Sequence, residues 1–202
     1  MAGGTCRPGA AVRERPLRGR LPVTPSPRAC HERKPMHRIF LDTEFTQFRD
    51  GQLLSLGLVT EDGHELYVEV GDLTRQAQAS DFCKDVVITQ FGLVPGAVVR
   101  DDAAAGARVA TWLGSFGHPV TISYDYKLDW RFFEGALRAA GQWQALASNL
   151  RAEDVAGVAA PGTPGEAAQN AVFDVSNSPS RHHALVDARA LRAAWLASSL
   201  QR

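Results

Sequence analysis

Ile39-Phe40-Leu41-Asp42-Thr43-Glu44-Phe45-Thr46 is the stretch on which the reading of this chain turns. It starts as a short apolar run, the pattern of a strand buried on both faces, and ends on two carboxylates one residue apart. Alternate side chains of a strand face the same way, so Asp42 and Glu44 stand about 6–7 Å apart along one face. Like charges held together raise one another's pKa unless a cation neutralises them. Carboxylate oxygens select a hard divalent ion, magnesium or manganese. A solvated strand end is the plain alternative for two acids taken alone, so the pair needs partners from elsewhere in the chain.

Outward from this stretch, residues 52–59 (QLLSLGLV) and 65–70 (ELYVEV) read as two further strands. Between them Glu61-Asp62-Gly63-His64 carries the Asp-Gly pair of a hairpin turn. Residues 81–91, with Phe82, Val86, Ile88 and Phe91 at mixed spacing, read as a helix. Residues 101–116 form an alanine-rich helix capped by Asp101 or Asp102, 119–123 a strand, and 130–140 a helix closed by Gly141. Residues 149–181 are the least legible, because Pro161-Gly162-Thr163-Pro164-Gly165 breaks any periodicity. A last amphipathic helix over 183–200 carries Leu185, Leu191, Trp195 and Leu196. Three strands followed by helices alternating with strand predict an α/β domain with a mixed sheet.

The chain has equal numbers of basic and acidic residues, 22 of each, but they are segregated. Residues 1–35 hold Arg7, Arg13, Arg15, Arg18, Arg20, Arg28, Arg33 and Lys34 against Glu14 and Glu32, a surplus of six positive charges. Residues 36–202 therefore carry six more acids than bases. So acidic a domain is not a general electrostatic binder of nucleic acid, and if it handles phosphates a cation must mediate. The segment 1–35 is rich in Pro and Arg and has no apolar periodicity, which predicts a disordered tail. It reads as a basic arm, a transit peptide or a misplaced translation start, the last being favoured because Met36 directly precedes the first ordered strand. No apolar run approaches the roughly 18 residues of a membrane span. Cys6, Cys30 and Cys83 have no ligand spacing and fit unpaired thiols of a cytoplasmic protein.

The partners of the acidic pair lie far along the chain. In Arg181-His182-His183-Ala184-Leu185-Val186-Asp187, Asp187 falls early in the last helix and His182 just ahead of it. The two can flank one cleft, and a histidine there is suited to be a general base because its pKa lies near neutrality. Tyr124-Asp125-Tyr126-Lys127-Leu128-Asp129 offers two further acids after a strand. Asp129 opens a helix and has an N-cap as its plain alternative; Asp125 lies in a loop, where Asp is common turn chemistry.

Together these residues resemble the DEDDh branch of the 3′–5′ exonuclease superfamily, which includes polymerase proofreading subunits, ribonuclease T and oligoribonuclease. The first motif looks like Asp42-Thr43-Glu44, the second like Asp129 with Phe132-Phe133, and the third like His182 through Asp187 with its H-x4-D spacing. The position after the histidine, often Gly in the family, is His183. The common H-N-x-x-F-D form of the second motif is replaced by Ser123-Tyr124-Asp125, which leaves Asp125 open as a substitute. The wording of the first two strands is similar to small bacterial stand-alone exoribonuclease-like domains. The resemblance covers most of residues 37–200. It implies an RNase H-like fold, a mixed five-stranded sheet with helices on both faces, over a domain spanning 36–202. It also implies two magnesium or manganese ions held by Asp42, Glu44, Asp129 and Asp187, with His182 deprotonating the attacking water. Thr43 and Phe45 would meet the terminal nucleotide through backbone contact and stacking, although Phe45 also fits a core position. The implied partner is RNA or single-stranded DNA with a 3′ end, RNA favoured by the closer subgroup. A non-catalytic docking module on the same fold is the rival; it predicts a lost carboxylate or histidine, and all five are in place. Oligomeric state is left open.

Overall fold

In the computed structural model the apolar run 39–41 sits in the middle of strand β1 (His37–Phe45), and Ile39, Phe40 and Leu41 are fully buried. Consecutive apolar residues on a strand demand cover on both faces. Ile39 and Leu41 enter the main core, while Phe40 packs with Leu191 and Trp195 on the opposite face. The structure describes residues 1, 37–117, 119–175 and 179–200. The chain divides into two units, Met1–Glu32 and Arg33–Arg202, and all that follows concerns the second. The tail expected at 1–35, Met1 apart, lies outside the described residues.

β2 (Leu53–Thr60) and β3 (Glu65–Val70) form the expected antiparallel hairpin. Gly63 supplies the turn's left-handed backbone, φ 95°. β3 carries on its outer edge the two-residue strand β4 (Val98–Val99), parallel to it. On its other side β1 pairs in parallel with β5 (Val120–Tyr124), and β5 with β6 (Leu150–Asp154). The order β4-β3-β2-β1-β5-β6 gives a mixed sheet of six strands, one more than the expected five. Four of the six, β1, β2, β3 and β5, are the strands read from the sequence; β4 and β6 are not among them, and two residues are too few for β4 to carry any period.

Six α-helices complete this unit among the described residues: α1 (Leu73–Ala77), α2 (Asp102–Gly114), α3 (Lys127–Ala139), α4 (Trp143–Leu146), α5 (Pro164–Val175) and α6 (Ala184–Ser199). Ala105, Val109 and Leu113 of α2 and Phe133, Ala136 and Leu137 of α3 pack on the face of Ile39 and Leu41. Ala184, Leu185 and Ala188 of α6 pack on the other face with Val59 and Tyr67. Helices therefore cover both faces. Asp101 is the α2 cap, accepting from the Ala104 N–H at 2.9 Å. Asp102 instead pairs with Arg75 at 2.5 Å. The helix expected over 81–91 is a π-helical turn, Cys83–Val87, followed by a 3-10 turn, Ile88–Gln90; the mixed spacing of its apolar residues suits neither face of an α-helix. Among the described residues no helix is long and apolar enough to cross a membrane.

Gly57 of β2 fixes how closely α6 lies on the sheet. A Cβ at Gly57 would stand 2.3 Å from the Ala184 carbonyl oxygen, so the helix start touches the strand backbone itself. Gly57→Ala is expected to cost about 1–3 kcal/mol in urea unfolding, the cost of forcing a methyl group into a packed contact. An unchanged midpoint would show that α6 is free to ride outward.

Candidate metal and catalytic site

β1 is where the sheet changes character, antiparallel toward β2 and parallel toward β5. The ends of parallel strands at such a switch leave a crevice that helices cannot close. Here it is a cleft of about 640 Å³ lined by Asp42, Glu44, Asp129, His182 and Asp187, with Phe45, Phe48, Phe82 and Tyr126 among its aromatic walls. All five polar residues expected from the sequence meet in it. A register shift follows Glu44 in the pairing with β2, so the bulge falls directly after the two acids.

Asp129 is buried, and it is no N-cap: α3 has Tyr126 at that position. Its Oδ1 accepts from the Thr43 hydroxyl at 2.8 Å and from the Thr43 N–H at 3.2 Å. Thr43 was expected to meet substrate through its backbone; it lines the cleft but gives both donors to Asp129, and so positions a carboxylate. Asp125, one turn earlier, also reaches the site. Asp42, Asp125 and Asp129 place donor atoms within 4.8 Å of one another, and so do Glu44, His182 and Asp187. The second motif thus contributes both of its acids, where the sequence reading favoured one.

The third segment is held by contacts the sequence does not advertise. His182 has a left-handed backbone, φ 65°, which is costly for a residue with a Cβ. Its N–H donates to Asp187 Oδ2 at 3.0 Å. Gln90 donates from Nε2 to the carbonyls of Arg181 (3.1 Å) and His182 (3.3 Å), and its Oε1 accepts from the Ser180 N–H at 2.6 Å. Phe82 meets the His182 ring edge-to-face at 5.0 Å. His183, at the position where the resembled family often has Gly, is buried and stacks on Tyr67 at 4.2 Å, so it belongs to the core rather than to a tolerant surface. Phe45 lines the cleft, and it also stacks on Phe132 at 5.0 Å.

Burial and crowding leave a clear electrostatic signature. Loss of solvent, then the charges of Asp129, Asp187, Glu44 and Asp125, holds Asp42 well above the ordinary carboxylate range. Burial, followed by Asp187 and Asp129, pushes Glu44 to about 8. Burial likewise takes Asp129 and Asp187 to about 7, against the lowering hydrogen bonds from Thr43 and His182 respectively. Asp125 is raised, chiefly by burial. His182 is lowered by burial and then by Arg181, which keeps its imidazole neutral near neutrality. Asp42 Oδ2, Asp129 Oδ2 and Asp187 Oδ1 are buried with no hydrogen-bond partner. Buried carboxylate oxygens without donors, converging from three segments, fit divalent cations.

Against known proteins, no family model matches the chain and no curated protein matches it.

The raised carboxylates fix the sign of a stability effect. In the folded state Glu44 titrates at about 8, and Asp129 and Asp187 at about 7, above their values in the unfolded chain. The folded state then binds more protons than the unfolded one, so stability from these groups is complete below about pH 4 and is lost as pH rises through about 7–8. The melting temperature of the metal-free protein is expected to fall from about pH 5 to about pH 8, and magnesium or manganese to restore it. Glu44→Gln should melt higher than wild type without metal at the alkaline end and gain less from the cation. A variant that melts lower without metal would contradict the repulsion.

Proposed function

We propose that this chain is a divalent-metal-dependent 3′–5′ exonuclease of the DEDDh type on an RNase H-like fold. Its substrate is a nucleic acid with a 3′ end, RNA or single-stranded DNA, with RNA slightly favoured. The observation that carries the reading is the convergence of Asp42, Glu44, Asp129, Asp187 and His182 in one cleft, with Asp125 beside Asp42 and Asp129 and three carboxylate oxygens buried and unpaired. The ordered motifs that resemble the exonuclease branch are the same residues that meet there. A docking module has no use for so costly a concentration of charge.

Asp42, Glu44, Asp129 and Asp187 would hold two magnesium or manganese ions, with Asp125 close enough to share in the set. Bound ions supply positive charge against the phosphate and Lewis acidity at the bond that breaks. The protein's own part is positioning and proton transfer. Thr43 fixes the Asp129 carboxylate in one rotamer by two hydrogen bonds. Asp187 and Gln90 hold the backbone of His182 so that its neutral ring faces the cleft. His182 can then take the proton of the attacking water, and Phe45 offers an aromatic face beside the acids for the terminal base. Cys83, free and buried, suits a reducing cytoplasm.

Digestion of end-labelled RNA and DNA, with free and blocked 3′ ends, tests the reading. Shortening is expected only from a free 3′ end and only with magnesium or manganese; full activity in excess chelator rejects it. His182→Ala should lower turnover by roughly 10²–10⁴-fold and keep the cation-dependent rise in melting temperature. The wild-type rate should climb with pH through the lowered titration of His182, and that limb should flatten in the variant. Asp129→Asn should abolish cleavage and Asp125→Asn should cost less; the reverse order would make Asp125 the principal second-motif acid.

A further inference from the structure

Beside the acidic cleft lies a second depression of about 410 Å³, lined by Phe48, Arg49, Asp50, Leu128, Arg131 and Phe132. Phe48 lines both cavities, and Phe132, in the second, stacks on Phe45 in the first. The two spaces are therefore neighbours across one aromatic wall. Their chemistry is opposite. The first concentrates carboxylates, whereas the second brings together two guanidiniums against the single acid Asp50. Among the described residues neither Arg49 nor Arg131 has an acidic partner within an ion-pair distance. Two uncommitted arginines thus face one cavity directly beside the carboxylates of the acidic centre.

The loop that presents this wall is built firmly. Thr46 and Gln52 close it, with the Thr46 N–H donating to the Gln52 carbonyl at 2.9 Å and the Gln52 N–H to the Thr46 hydroxyl at 3.0 Å. Asp50 adopts a left-handed backbone, φ 51°, and a Cβ at Gly51 would stand 2.0 Å from the Gln47 carbonyl oxygen. This tight turn holds Phe48 at 79% exposure, an expensive position for a phenyl ring without a ligand. Tyr126 meets Phe48 edge-to-face at 6.4 Å, and it is itself about half exposed, at 47%. Exposed rings alternating with arginines are the elements of a single-strand binding track, stacking for bases and guanidiniums for phosphates.

We propose that the Arg49–Arg131 pocket binds a backbone phosphate of the substrate strand upstream of the bond that is cut, with the adjoining base on Phe48. The proposal rests on the exonuclease reading and extends it, since it makes the substrate a strand that continues past the acidic centre rather than a dinucleotide.

The test is binding of a fluorescein-labelled, 3′-blocked single-stranded RNA of about ten nucleotides, followed by anisotropy over a range of salt. Replacing both arginines (Arg49→Gln, Arg131→Gln) is expected to weaken binding about tenfold at low salt. It should also make the log–log salt slope shallower by roughly 0.7, the value of one phosphate contact on a single strand. Arg151→Gln, which removes a positive charge on exposed β6, should leave the slope as it is. In cleavage, KM should rise more for the longer strand than for a dinucleotide. Unchanged affinity and slope in the double variant overturn this site whether or not the protein cleaves. Failure of the wild type to shorten any free 3′ end overturns the exonuclease reading, and the binding data still decide the pocket. Equal weakening by Arg151→Gln overturns the pocket in favour of a diffuse charge effect.

Discussion

Mutual repulsion among buried carboxylates is the constraint around which this domain is arranged. Asp42, Glu44, Asp125, Asp129 and Asp187 converge half-buried or buried, where solvent screens them poorly, and each is held above the ordinary acid range mainly by burial. A site of this kind is strained by itself at neutral pH, a strain that a bound cation would relieve. The rest of the structure has to hold the acids together against that force. Thr43 does it for Asp129 with both of its donors, and the main chain of His182 does it for Asp187. The sheet supplies the platform: β1 is central, covered on both faces, and cannot yield to relieve the crowding.

The same economy explains the approach of α6. Asp187 lies in the first turn of that helix, and the helix start rests on the bare backbone of Gly57. Ahead of it, His182 is kept in a left-handed conformation by Gln90, which sits at the end of the π-helical and 3-10 turns. Interruption of regular helix at 83–90 thus coincides with the place where a side-chain amide must reach another segment's carbonyls. π-turns commonly occur at such sites.

What was legible in the sequence follows from locality. The run 39–46, the Asp-Gly hairpin and the H-x4-D spacing are short-range patterns with direct physical readings, and the structure brings their residues together. Asp101 against Asp102 was an even choice that needed a partner 27 residues away: Arg75 takes Asp102 and frees Asp101 to cap. β6 escaped because it is a largely exposed edge strand without alternating apolar residues. α5 does have a local mark: Thr163 accepts from the Glu166 N–H and Glu166 from the Gly162 N–H, with Pro164 at the first helical position. A Thr-Pro-Gly-Glu sequence is a helix start, although the glycines and prolines around it read as breakers. The roles of Thr43 and Gln90 were invisible because each depends on a partner more than eighty residues away.

The charge of the domain takes on a different meaning once its placement is known. Six surplus acids suggest a surface that repels polyanions, yet five of the carboxylates are gathered at or beside one cleft where cations would reverse their field. Outside that group residues 36–202 carry 15 acids against 14 bases, so the remaining surface is close to neutral and offers a polyanion no broad attraction. A nucleic acid held broadly by lysines and arginines would bind anywhere along its length, and its 3′ end would have no advantage. If cations fill the acidic centre and the Arg49–Arg131 pocket takes a phosphate as proposed, a strand whose terminus enters the cleft gains from both. Local attraction on a near-neutral background would then favour ends over interiors, the selectivity that the proposed exonuclease activity needs.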